Sequence, residues 1–233
     1  MKITLIGDSL TEDRPGVSFF NLLVEKYPDI TFYNDGKPGE TVKSLFSRLT
    51  ESTLETDYDI AFLWIGVNDV YSKLLKVQAQ PITENLQEFS EYYYKVLNII
   101  LAYSKYVVVV SPAVVGENIN NSSNGDLRDL SAAIQSISNH HPNVHFLDMR
   151  NKFEKQLANI HPSDYISTGI LTIMKDVFFN KKPTRIDKLS KKRGLHLTLD
   201  GIHLNSKGAL IVANEYSLMI EQLLFNKNVI SPF

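Results

Sequence analysis

Residues 58–69 read Tyr-Asp-Ile-Ala-Phe-Leu-Trp-Ile-Gly-Val-Asn-Asp. From Tyr58 to Gly66 the run is almost continuously apolar instead of alternating, which predicts a strand covered on both faces, as parallel strands are. It ends on Gly66 and the polar pair Asn68-Asp69, a loop signal. Working outward, Tyr106–Val110 is a second buried, β-branched strand. Lys2–Ile6, Ile30–Asn34 and Val144–Asp148 are three further strands. Helical stretches separate them. Gly16–Tyr27 and Val42–Leu49 come first. Leu86, Phe89, Tyr93, Leu97 and Ile100 then recur at helical spacing behind Thr83, read as an N-cap. Asn118–Asp126 reads as a polar loop before a helix marked by Leu127, Leu130, Ile134 and Ile137, and Ser206–Leu224 closes the chain. Strand–helix alternation at this spacing predicts βαβ units: an α/β fold with a five-stranded, mainly parallel sheet and helices on both faces. No composition shift or internal repeat divides residues 1–233, so one domain is expected.

Composition narrows the function. The chain has no Cys, which removes thiolate nucleophiles, disulfides and Cys-ligated metal sites. A net charge of −2 argues against bulk nucleic-acid binding. The first residues, Met1-Lys2-Ile3-Thr4-Leu5-Ile6, meet Gly7-Asp8 too soon for the apolar core of a signal peptide. The apolar runs Ile60–Val67 and Val107–Val115 fall well short of the ~18 residues that span a bilayer. A cytoplasmic protein without membrane insertion is the expectation. The tail Asn226–Phe233 can pack on its own domain or on a second copy, so a homo-oligomer is open.

One stretch departs from the rhythm. Residues Met149 to Thr198 separate the fifth strand from the closing helix, longer than α/β connections usually run, and read as an insertion. Ile166, Ile170, Ile173, Met174 and Val177 recur there at helical spacing, chiefly a local packing stripe and, as a hypothesis, a lid over the site described next. Lys181–Arg193, with seven cations and the single acid Asp187, reads as a solvated, mobile loop.

Ligands of parallel sheets bind beyond the carboxyl ends of the strands. Four segments qualify: Gly7-Asp8-Ser9-Leu10-Thr11 after the first strand, Lys37-Pro38-Gly39-Glu40-Thr41 after the second, Gly66-Val67-Asn68-Asp69 after the third, and Asp200-Gly201-Ile202-His203 before the closing helix. Together they hold the parts of an acyl-transfer site. A serine hydroxyl needs a base, and His203 can supply it. Asp200, three residues earlier, can hold the other ring nitrogen and set the tautomer. The backbone N–H groups of Ser9 and Gly39 and the side-chain amide of Asn68 can meet at an oxyanion. Gly39 is read as the place where backbone must come close to substrate. Taken singly, each has a plainer reading: Ser9 as a helix N-cap, Asn68 as a turn residue, Asp200 and His203 as a solvated turn. Asp8 and Asp69 read as loop-orienting carboxylates. Glu117, Asp126 and Asp129 read as ordinary surface acids.

Gly-Asp-Ser-Leu near the start, a glycine in the second block, Gly-x-Asn-Asp in the third and Asp-x-x-His near the end resemble the SGNH, or GDSL, hydrolases. The resemblance covers residues 2–148 and 198–224, leaving the insertion outside. It implies a flavodoxin-like three-layer sandwich and an esterase, lipase, thioesterase or carbohydrate acetylesterase activity on a small or medium ester. It makes Ser9 the nucleophile, with Asp200 and His203 completing a triad. Ser9, Gly39 and Asn68 form the oxyanion hole, and no cofactor or metal is needed. A non-catalytic or phosphate- and nucleotide-binding α/β module is the alternative, but neither Gly-x-Gly-x-x-Gly nor Gly-x-x-x-x-Gly-Lys-Ser/Thr is present. The Gly-x-Ser-x-Gly turn of α/β-hydrolases is also missing.

Overall fold

The computed structural model describes residues 1–52, 54, 57–75, 80–161, 163–169 and 182–224. Five strands, β1 (Lys2–Gly7), β2 (Thr31–Gly36), β3 (Tyr58–Trp64), β4 (Ser104–Val110) and β5 (Val144–Leu147), form one sheet in the order β2-β1-β3-β4-β5. All four pairings are parallel, with Gly7 opposite Gly36 on one side and Trp64 on the other. The helices are α1 (Ser9–Glu12), α2 (Phe19–Lys26), α3 (Val42–Glu51), α4 (Val67–Tyr71), α5 (Leu86–Leu101), α6 (Ser122–Ser138), α7 (Met149–Leu157), α8 (Pro183–Lys192) and α9 (Ser206–Leu224). Helices α3, α5 and α6 pack together on one face, and α2, α7 and α8 pack against α9 on the other. The three layers of an α/β sandwich result. The chain leaves β1 toward β2 and then crosses back to β3, so strand order reverses at β1/β3. Right-handed crossovers then place α2 and α3 on opposite faces, opening a crevice between the ends of β1 and β3.

Burial explains the continuous apolar runs. From Ile60 to Ile65 and from Val107 to Val110 every side chain is buried. Phe62 stacks on Tyr216 of α9 at 4.2 Å between ring centroids, and Phe19 meets both Trp64 and Tyr216 edge-on.

Four expectations are corrected. Helix α5 is capped by Asn85, whose side chain accepts the Glu88 N–H at 2.9 Å, and not by Thr83. Asn is the stronger cap, and it sits directly before the apolar stripe. The polar stretch 118–126 is a loop only as far as Asn121, which caps α6; Ser122 to Asp126 are already helical. Within it Asn124 is buried and bonds Val115, Gly116 and Asn118, so polar composition marks a clasp here and not a solvated loop. The insertion begins with an ordinary core helix: Met149, Phe153 and Leu157 of α7 are buried and Asp148 caps it. The cationic run is mostly α8, with Pro at its first turn, Ile186 and Ser190 turned inward, and the lysines outward. Asp187 accepts from the N–H and hydroxyl of Ser206 at 3.0 and 2.8 Å, fastening α8 to the start of α9. The stripe proposed as a lid lies, from residue 170 onward, outside the described residues, as does the tail 225–233.

Candidate active site

The loop after β1 is shaped by close approach. A Cβ on Gly7 would lie 2.4 Å from both Thr11 Oγ1 and Trp64 O, and one on Gly36 would lie 2.3 Å from Glu12 N. Bare backbone at both positions lets α1, a single turn, sit directly on the ends of β1 and β2. Asp8 caps that turn, its Oδ1 accepting the Leu10 N–H at 2.9 Å. Ser9 follows at the first helical position, so the Asp, and not the Ser, takes the capping role.

The partner loop is a tight turn. Thr198 and Leu204 form an antiparallel bridge, and Leu199 N–H donates to His203 O at 2.6 Å. Inside the turn, Asp200 Oδ1 accepts the N–H groups of Ile202 (3.1 Å) and His203 (2.9 Å). Its Oδ2 lies 2.7 Å from His203 Nδ1, and His203 Nε2 lies 3.0 Å from Ser9 Oγ. The two loops are also stitched through backbone, Val17 N–H to Leu204 O at 2.9 Å. Three side chains 194 residues apart at the extremes thus form one hydrogen-bonded line. Burial pushes Asp200 up. The charge and ring N–H of His203, with the two backbone N–H donors, outweigh it and hold the carboxyl below its usual range. With Asp200 ionised, the ring proton belongs on Nδ1, leaving Nε2 as the acceptor toward the serine hydroxyl.

Asn68, at the start of α4 beyond β3, is buried and donates through Nδ2 to Glu40 O at 3.0 Å, which ties it to the loop carrying Gly39. Gly39 has φ +73, yet a Cβ there would meet nothing within 4 Å. The expected reason for this glycine is therefore corrected: a left-handed backbone requires it, and the space before it is open. Gly36 N–H donates to Asn34 Oδ1 at 3.1 Å, which leaves Gly39 as the glycine of this loop to consider as an oxyanion donor. Sequence reading missed what braces this loop. Arg48 of α3 makes a bidentate pair with Glu40 (2.7 and 2.8 Å) and reaches Asp35 at 2.7 Å. Each partner looks like a surface charge in sequence. Only folding puts Arg48 over the loop.

Three carboxyls around the site are pushed up to about 7 by burial: Asp8, Asp13 and Asp69. Asp69 is further raised by the charge of Asp8, and its Oδ2 accepts the Val42 N–H at the start of α3 (3.1 Å), its other oxygen having no partner. These groups hold protons in the folded chain that the unfolded chain, at 3.8, has released. Stability should therefore fall as pH rises from about 4 to about 7. Asp200 has the opposite sign and costs stability only as pH falls below the carboxylate range. Asp69→Asn keeps an acceptor for Val42 without a buried charge. Its melting temperature should exceed that of the wild type near pH 8 and match it or fall below it near pH 4. Parallel melting curves for the two proteins across this range would refute the assignment.

Glu117 corrects another expectation. It is fully buried, and its carboxylate accepts N–H groups from His196 (2.7 Å), Leu197 and Thr198 (2.8 Å each) and the Thr198 hydroxyl (2.8 Å). The only local signal was an acid placed directly after the apolar run that ends at Val115. Among the described residues, no cluster of His, Asp or Glu could hold a metal ion, and no helix is long and apolar enough to cross a membrane.

The chain matches the GDSL-like Lipase/Acylhydrolase family over residues 3–216. No curated protein matches it. Among solved structures it is similar to the acetyl xylan esterase AlAXEase (21% identity, 94% of this chain and 100% of that one, TM-score 0.67). It is also similar to Axe2, an acetylxylan esterase from Geobacillus stearothermophilus (18% identity, 99% and 97%, TM-score 0.67). A third is LAE5, an alpha/beta hydrolase enzyme from the metagenome of Lake Arreo, Spain (18% identity, 95% and 95%, TM-score 0.68). These likenesses cover more of the chain than the two segments that the motifs cover. The protein belongs to the GDSL-like lipase/acylhydrolase family and is a carboxylic-ester hydrolase.

Proposed function

We propose that Ser9, His203 and Asp200 are a catalytic triad that removes small acyl groups, acetyl above all, from carbohydrate hydroxyls. The single observation that carries this reading is the line from Ser9 Oγ to His203 Nε2 to Asp200. Ser9 Oγ attacks the ester carbonyl while its proton passes to Nε2. The oxyanion is met by the N–H groups of Ser9 and Gly39 and by the second N–H of Asn68 Nδ2. His203 then protonates the departing alcohol oxygen, leaving an acyl group on Ser9. Water gives its proton to Nε2, attacks the acyl carbonyl, and releases acid and free serine.

Support for a small acyl group comes from enclosure: Ser9 and His203 are each only 6% exposed. Two of the similar structures are named acetyl xylan esterases, and catalytic mutants at a serine, an aspartate and a histidine are known for Axe2.

The test is kcat/KM for an acetylated xylo-oligosaccharide against p-nitrophenyl octanoate. The expected preference for the acetylated sugar is at least ~10-fold. A preference for the octanoyl ester would overturn the acetyl reading and leave an esterase. A phosphonate that inhibits without marking Ser9 would overturn the triad itself.

A further inference from the structure

The geometry points to Glu117 as a positioning residue that sets the distance between His203 and Ser9; this inference rests on the triad reading above. The carboxylate lies in the loop after β4, outside the four motif segments, and carries four hydrogen bonds from residues 196–198. A buried carboxylate with so many donors is a rigid strut, because each donor left without it would be a buried, unpaired group. The strut continues into the turn. Thr198 Oγ1 donates to Glu117 Oε1 and accepts the Gly201 N–H at 3.2 Å. One residue earlier, Gly116 N–H donates to Gly201 O at 2.7 Å. Residues 116–117 therefore grip both the approach to the turn and its tip.

The consequence for chemistry is specific. Asp200 and His203 sit in one turn, where the Asp200 carboxylate accepts the His203 backbone N–H and pairs with its ring, so a shift of that turn carries both together. Their mutual bond survives, and the contact that stretches is the 3.0 Å one between Nε2 and Ser9 Oγ. Loss of the strut should then slow proton transfer from Ser9 while leaving substrate binding largely intact.

The experiment compares wild type with Glu117→Gln, Glu117→Ala, Thr198→Val and Thr198→Ser in the full chain, each shown to be folded by circular dichroism. Kinetics on p-nitrophenyl acetate and the rate of Ser9 labelling by a phosphonate are measured. Glu117→Gln and Thr198→Val should lower kcat and the labelling rate by about 10- to 10²-fold with KM changed by less than ~2-fold, as a displacement near 1 Å does. Thr198→Ser, which keeps the hydroxyl, should restore both. If the Glu117 variants fail to fold, the Thr198 pair decides. Variants with kcat within ~3-fold of wild type, or a loss spread equally over KM and kcat with no rescue by Thr198→Ser, would overturn the positioning role. A wild type that hydrolyses no ester would overturn the triad reading first, and the two failures are told apart by that control.

Discussion

Ser9→Ala should lower kcat for p-nitrophenyl acetate by about 10⁶-fold, which corresponds to roughly 8 kcal/mol of transition-state stabilisation. The size of the loss follows from the line of hydrogen bonds. His203 Nε2 has the Ser9 hydroxyl within reach at 3.0 Å, and Asp200 holds the ring so that this nitrogen faces it. Removing the oxygen leaves base, orienting carboxylate and oxyanion donors in place with nothing to activate except water. Water is not held at the attack position by a covalent tether, so the advantage of an intramolecular nucleophile disappears. The fold should tolerate the change. Ser9 is not the cap of its helix, since Asp8 performs that task through the Leu10 N–H. Melting temperatures of the two proteins should therefore lie close together, and the phosphonate should mark only the wild type. A variant hydrolysing the ester at a rate near the wild type would remove Ser9 from the reaction.

Asp200→Asn should give the second large effect, about 10⁴-fold in kcat with little change in KM. An asparagine fits the same space, and its carbonyl oxygen can still accept the backbone N–H groups of Ile202 and His203 that Asp200 Oδ1 accepts. Its NH₂ then points at His203 Nδ1, where the carboxylate Oδ2 stood at 2.7 Å. Nδ1 must accept, the ring proton moves to Nε2, and the nitrogen facing Ser9 becomes a donor unable to take the serine proton. No negative charge remains to stabilise the imidazolium that forms during attack. The folded protein should remain, because the turn around residues 200–203 is also held by the Leu199–His203 and Asn205–Leu197 backbone bonds. A kcat within about 10-fold of wild type would show that the carboxylate does not set the tautomer.

Much of this arrangement was legible without coordinates, and the reason is local. Ile60–Trp64 and Tyr106–Val110 carry their burial in an unbroken apolar spelling, which only a strand covered on both faces rewards. Gly7-Asp8-Ser9, Asn68 and Asp200–His203 each directly follow or precede such an element, and parallel sheets gather those ends at one edge. The readings that failed did so where one pattern has two outcomes. Lysines at 188, 191 and 192 look the same on a loop and on the outside of a helix, and Ile186 with Ser190 is too thin a stripe to decide. Asn and Ser between 118 and 126 spell a solvated loop and equally spell a cap followed by a helix, and the choice is made by Asn124 folding back on Val115.

Residue spacing along the chain thus determined the class of fold, the edge of the sheet toward which the motif segments converge, and the choice of Ser9, His203 and Asp200 as candidates, because short-range periodicity and chain order are enough for those. Tertiary structure alone decided that Arg48 braces the Gly39 loop and that Glu117 braces the His203 turn. It also decided that burial pushes the carboxyls of Asp8, Asp13 and Asp69 up to about 7. Those properties depend on which distant backbone donors a carboxylate meets and on how much water it loses, and neither is written in the residues beside it.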